Sequence, residues 1–210
     1  SNMDFTSKNV VITGGSTGIG FATAKAFINA GASVWITGRS AGNLQKAAAE
    51  VNSPKLKTVV SDTSNLAGIT VLEKAVAESG SKVDILFLNA GIAVFAPIEQ
   101  ATEADFDAQF NTNVKGYFFT LQKLIPHLAD GASVVFTSSN AAHLSNINVS
   151  AYSATKSAVN TIARVAANEL AERKIRVNIV TPGPTDTGVL SKAGMPKEVE
   201  KQVTEQIVAS

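Results

Sequence analysis

With 210 residues, 45% of them hydrophobic, the chain is long enough to bury one core, and 18 basic against 17 acidic side chains leave a formal charge of +1. No basic run marks a nucleic-acid partner and no apolar stretch reaches the roughly 20 residues of a bilayer span, so neither nucleic acid nor membrane is an expected partner. The chain has no cysteine, which excludes disulfides and thiolate metal sites, and His127 and His143 are too few to build a zinc site, so no metal is expected.

Ser1 and Asn2 ahead of Met3 read as the remnant of a cleaved tag, leaving residues 3–210 as one expected domain. The start lacks a charged segment followed by an apolar one, so a cytoplasmic location is expected. Short β-branched runs at residues 10–12, 33–36, 58–60, 83–88, 133–136 and 175–180 predict strands. Between them, helical patterns cover 18–30, 41–51, 66–79, 102–110 running into 113–128, and 151–172. The run from Val83 to Leu88 is almost continuously apolar, as a strand covered on both faces must be. This alternation predicts an α/β fold, a doubly wound parallel sheet of Rossmann type, with ligands outside the carboxyl ends of the strands. Residues 197–209 carry a further amphipathic pattern.

Two motifs carry chemistry. In Thr13-Gly14-Gly15-Ser16-Thr17-Gly18-Ile19-Gly20 a glycine run follows a strand and opens a helix. Gly14 suits the tight turn, Gly18 the approach of backbone to a pyrophosphate near the helix N-terminus, and Gly20 close strand–helix packing. Tyr152 and Lys156 are four residues apart, so one helical face holds a phenol beside an ammonium that favours the phenolate. Carrying a phenol from a pKa of about 10 to about 7 takes roughly 4 kcal/mol, more than one exposed charge supplies, so burial and a bound oxidised nicotinamide are expected to contribute.

The second strand ends in Gly38-Arg39-Ser40 rather than in an acid that would grip the ribose hydroxyls of NAD. The Arg39 guanidinium can pair with a 2′-phosphate, so NADP(H) is expected over NAD(H); the plain alternative is a solvated arginine before a helix, and position 17 adds no second cation. Asp62, with Thr63 and Ser64 beside it, either faces a ligand beyond the end of the third strand or caps the next helix. Asn89 and Gly91 either wall the cofactor or serve their own turn. Ser138 and Ser139 both follow the fifth strand. Leu144, Ile147 and Val149 read as an apolar mouth or as packing, and His143 as a surface residue.

The order of these motifs resembles the short-chain dehydrogenase/reductase family from about residue 10 to 187: Thr13 to Gly20, Asn89-Ala90-Gly91, Asn113 in the following long helix, Ser139, Tyr152 with Lys156, and Pro182-Gly183. The resemblance implies that Tyr152 is the general acid/base and that Lys156 both tunes it and donates to the nicotinamide ribose. Ser139, thirteen positions before Tyr152, would orient the substrate carbonyl, and Asn113 would hold a proton-relaying water. It further implies cofactor contacts from Gly14, Ser16, Thr17, Gly18, Ile19, Gly20, Arg39, Ser40, Asp62, Thr63, Asn89, Ala90, Gly91, Tyr152, Lys156, Pro182, Gly183, Thr185 and Thr187. The chain stops short of the family's C-terminal seventh strand, and a homodimer or homotetramer is implied. The expected activity is hydride transfer between NADP(H) and a carbonyl or secondary alcohol of unspecified identity. A redox sensor or scaffold of the same fold is the rival, although it has no chemical need for Ser139, Tyr152, Lys156 and Asn113 together. The chain is too short for the substrate domain of the superfamily's dehydratases and epimerases.

Overall fold

The computed structural model describes residues 5–138 and 147–181. Six strands, β1 Asn9–Ile12, β2 Ser33–Gly38, β3 Leu56–Val60, β4 Val83–Leu88, β5 Leu128–Thr137 and β6 Arg176–Val180, form one sheet. Their order is β3-β2-β1-β4-β5-β6, and every pairing is parallel. The doubly wound sheet is therefore as the alternation required. The order reverses between β1 and β4, and the crevice beyond their carboxyl ends is where such a sheet takes a ligand.

Strand alternation divides the core in two. Val10 and Ile12 of β1 point to one side with Val34, Ile36, Ile85 and Phe87, where helices α1 Gly18–Asn29 and α2 Ala41–Val51 contribute Phe27 and Leu44. Val11, Trp35, Leu86 and Phe136 point to the other. There α3 Leu66–Glu78, α5 Gly116–Leu124 and α6 Ser150–Glu169 supply Leu72, Val76, Tyr117, Leu121, Val159 and Ala163. Burying Val10, Val11 and Ile12 completely on both faces explains why β1 reads as an unbroken apolar run.

Strands β1, β2, β3 and β6 shift by one or two residues from the sequence expectation, and three differences are larger. The long helix expected to reach residue 128 ends at Leu124, and a 3₁₀ turn Ile125–His127 containing Pro126 leads straight into β5. Proline lacks the N–H that another helical turn needs, and Leu128 instead pairs with Val83, so β5 starts five residues early. At the other end, α6 stops at Glu169 and a 3₁₀ turn leads to Lys174 in the left-handed region, φ 56°. Finally, α4 Glu103–Phe110 joins α5 through a π-helical turn, Asn111–Lys115, that nothing in the residue pattern announced.

Candidate active site

The glycine loop is stitched to the end of β4. The Thr13 hydroxyl accepts from the backbone N–H groups of Asn89, at 3.0 Å, and Ala90, at 3.2 Å. The Asn89 amide in turn donates to the Gly14 carbonyl at 3.2 Å. Asn89 therefore serves the backbone of the loop. Gly18 adopts φ +57° with nothing near the place of a Cβ, so its left-handed backbone faces open space. A Cβ at Gly20 would collide with the Gly14 carbonyl, which is why the first turn of α1 can lie against the loop.

Beside this loop is a cavity of about 490 Å³. Of the expected cofactor residues, Gly14, Ser16, Thr17, Arg39, Ser40, Asp62, Thr63, Ala90 and Gly91 line it. Ile19 packs against the core, and Gly20 lies beneath the loop. Thr37, Asn43, Ser61 and Thr112 line it too, without any sequence signal that set them apart. Ser40 caps α2 by accepting from the Asn43 N–H at 3.1 Å, and the first turn of α2 holds no acidic residue. Asp62 is not the cap of α3. That role belongs to Asn65, which accepts from the Gly68 N–H at 2.8 Å, while Asp62 folds onto Ser64 through the N–H, at 3.0 Å, and the hydroxyl, at 2.6 Å.

Gly91 and Ile92 are shared with a second cavity of about 230 Å³, lined also by Asn89, Ala93, Thr137, Ser138, Tyr152 and Lys156. Here the helical face of α6 delivers Tyr152 and Lys156 together. Lys156 is only 4% exposed, and burial pushes its ammonium down to about 8. Its Nζ lies 5.8 Å from the centroid of the Tyr152 ring and 5.4 Å from that of Tyr117. These are the only two tyrosines in the chain. They are chemically unequal: Tyr117 is fully buried and desolvation pushes its phenol far up, so it stays neutral, while Tyr152 is half-buried and borders the cavity. A Cβ at Gly91 would sit 3.6 Å from Lys156 Nζ and 3.3 Å from Asn113 Oδ1, so the glycine leaves room for both.

Asn113 lies in the π-helical turn and is completely buried. Its Oδ1 accepts from the Ile92 N–H at 2.9 Å, and its Nδ2 donates to the Ile92 carbonyl at 2.8 Å and to Thr155 Oγ1 at 3.1 Å. Thr155 passes its own proton to the Tyr152 carbonyl at 2.6 Å. Both amide hydrogens of Asn113 are thus spent on protein, and the side chain clamps the loop after β4 to the first turn of α6. The reading from sequence did not find Thr155; its place one residue before Lys156 was the available hint. Phe95 also escaped notice: it is 63% exposed and stands edge-on to Tyr152, ring centroids 5.8 Å apart.

Ser139, His143, Leu144, Pro182, Gly183, Thr185 and Thr187 lie outside the described residues. Ser138 lines the smaller cavity through a residue only 5% exposed, and its hydroxyl has no hydrogen-bond partner among the described residues. No group of three or more metal-ligating side chains occurs among the described residues, and no helix among them is long and apolar enough to cross a membrane.

The site's geometry has counterparts elsewhere. The short chain dehydrogenase family model matches residues 8–198. An oxidoreductase from Sarocladium schorii is 37% identical over 190 residues, covering 90% of this chain and 76% of that protein. A short chain dehydrogenase from Burkholderia cenocepacia, solved in complex with NADP, superposes with a TM-score of 0.81 at 33% identity, over 89% of this chain and 77% of that one. A 3-ketoacyl-(acyl-carrier-protein) reductase from Brucella melitensis, solved with NADH, gives 0.79 at 33% identity, over 85% and 76%. With the strand order, the glycine loop and the Tyr152–Lys156 pair, these matches establish that the chain belongs to the short-chain dehydrogenase/reductase family of oxidoreductases.

Proposed function

We propose that the protein interconverts a carbonyl and a secondary alcohol with NADP(H), using Tyr152 as proton donor and acceptor. The observation that carries this reading is the placement of Tyr152 and the buried Lys156 on one cavity that adjoins, at Gly91 and Ile92, a second cavity large enough for the adenosine half of a dinucleotide. The open backbone of Gly18 and the absence of acid in the first turn of α2 suit a pyrophosphate and a ribose 2′-phosphate. When bound, the nicotinamide supplies or takes the hydride.

In reduction, Tyr152 gives its proton to the developing alkoxide while the Lys156 ammonium steadies the phenolate left behind. Lys156 also donates to the nicotinamide ribose, and Ser139 shares the alkoxide charge. Asn113 fixes Ile92 and, through Thr155, the first turn of α6; with both its amide hydrogens spent, it would hold a relaying water only by accepting from it. Arg39, Ser40 and the N-terminus of α2 take the 2′-phosphate, Asp62 the adenine amino group, and Gly14, Ser16, Thr17, Thr63, Ala90 and Gly91 the body of the cofactor. Pro182, Gly183, Thr185 and Thr187 complete the nicotinamide side. The known relatives include complexes of both NADP and NADH, so the preference rests on Arg39 and on the missing acid rather than on likeness. The chain works as a cytoplasmic homodimer or homotetramer, joined through α4, α5 and α6, whose Phe106, Phe118 and Val165 are 47%, 45% and 49% exposed.

An NADPH and NADH oxidation screen against a panel of ketones and aldehydes tests the reading, with Tyr152→Phe alongside. Turnover with NADPH that disappears in the variant supports it. Turnover that persists, or NADH used in preference, overturns the role of Tyr152 or of Arg39 respectively.

A further inference from the structure

The Lys156 ammonium is buried, yet the proposed chemistry needs it charged. Among the described residues no carboxylate contributes to its environment; desolvation alone moves it. What faces it is aromatic: Tyr152 from its own helix and Tyr117 from α5, with Asn113 Oδ1 and Gly91 near by. The Tyr117 ring is held rigidly. Thr137 Oγ1 has one proton, which goes to the Leu88 carbonyl at 3.0 Å, so the 2.8 Å contact between Tyr117 and Thr137 is a hydrogen bond donated by the phenol. The ring is thereby tied to the carboxyl ends of β5 and β4, the strand ends from which the cavity is built, and it packs on Phe136 with centroids 6.0 Å apart.

We propose that the face of the Tyr117 ring is the aromatic wall that keeps Lys156 an ammonium beside Tyr152, making Tyr117 a positioning residue of the catalytic pair. The negative face of an aromatic ring attracts a cation most strongly where water is excluded, and there the attraction replaces part of the lost hydration. Because the phenol of Tyr117 stays neutral, its ring offers this wall at every working pH and does not compete with Tyr152 for the proton. The proposal rests on the catalytic reading given above, but its test does not depend on turnover alone.

Tyr117→Phe keeps the ring and removes the anchor; Tyr117→Leu removes the ring. The titration midpoint of Lys156, read in cofactor-free protein by competitive acetylation and mass spectrometry across pH, is expected to fall by about half a unit to one unit in Tyr117→Leu and to stay within about 0.2 units in Tyr117→Phe. In carbonyl reduction, where both Tyr152 and Lys156 must carry their protons, the alkaline limb of the kcat profile should move to lower pH by a like amount in Tyr117→Leu only. Melting curves establish that both variants are folded, and a merely structural tyrosine would leave the Lys156 midpoint unmoved. Equal midpoints in Tyr117→Leu and wild type, or equal shifts in both variants, overturn the proposal. Persistent turnover of Tyr152→Phe would instead overturn the catalytic reading and leave the acetylation result standing by itself.

Discussion

The two halves of the crevice are built from opposite materials. The larger cavity, by the glycine loop, is lined mostly by backbone and small polar side chains, some buried, such as Thr37 and Ser61, and its basic side chain, Arg39, is exposed to water. The smaller one is lined by a lysine only 4% exposed and is backed by Asn113, which has no exposure at all and is tied by hydrogen bonds to Ile92 and Thr155. Binding a dinucleotide half asks for shape and available donors, which cost the fold little. Holding a proton donor ready asks for charge out of water, which costs the fold stability. Substitutions in the two halves should therefore fail in different ways.

The contrast is tested most severely at Tyr152. If Tyr152 is the proton donor proposed above, removing its hydroxyl with Tyr152→Phe should lower kcat by about 10²- to 10⁴-fold, while the dissociation constant of NADPH changes by no more than the roughly 5-fold of one lost hydrogen bond. Calorimetric titration of the cofactor into the variant, beside turnover, checks both. A matching loss of cofactor affinity would mean that the halves are not separable.

Lys156→Met should show activity and stability moving apart. Burial holds the lysine's folded pKa at about 8 against 10.5 in the open chain. Below about pH 8 both the folded and the unfolded chain carry the proton, and the folded one must bury the charge, so the penalty is present in full. As pH rises from 8 towards 10.5 the unfolded chain still binds the proton that the folded chain has released, and stability rises until the penalty is gone. The difference corresponds to something on the order of 3 kcal/mol at neutral pH. Lys156→Met should thus lose at least about 100-fold in kcat and melt higher than wild type at pH 7. The gain should shrink as pH rises towards 10.5. Denaturant unfolding at a series of pH values reads it directly.

In the binding half the charge is solvated and the effect is one of selectivity. Arg39→Asp replaces the proposed donor to the 2′-phosphate by a charge of the phosphate's own sign, so kcat/KM with NADPH should drop by about 10- to 100-fold, with that for NADH held or raised and the melting curve little changed. Steady-state kinetics with both cofactors separates this from a general loss.

The binding half was also the more legible from sequence, and for the same reason. Its contacts come from consecutive residues at strand ends, so Thr13 to Gly20 and Gly38 to Ser40 announced themselves by local chemistry. The Tyr152–Lys156 pair was legible because one helix turn carries both. What escaped was whatever needs the fold to bring distant positions together: Thr155 meeting Asn113, Tyr117 reaching Thr137 across 20 positions, and Phe95 standing against Tyr152. The strand pattern gave the doubly wound sheet because burial on both faces leaves an unmistakable apolar run. It missed the early start of β5, since Asp130 and Gly131 interrupt that run and only the pairing of Leu128 with Val83 makes it a strand.

Ser40 marks the smallest expected effect and the place where the two kinds of failure meet. Its hydroxyl oxygen accepts from the Asn43 N–H, which uses one lone pair and leaves the hydroxyl proton to point at an acceptor in the cavity. A residue that caps α2 and, on the proposed reading, also donates to a 2′-phosphate should lose two modest things on becoming alanine. Stability should fall by about 1 kcal/mol, as for other capping hydroxyls. The KM for NADPH should rise by about 5-fold, in keeping with the roughly 1 kcal/mol of one hydrogen bond, while the KM for NADH stays within error. If the two KM values rise together, the hydroxyl acts only through the geometry of the helix end, and Arg39 bears the discrimination between cofactors without it.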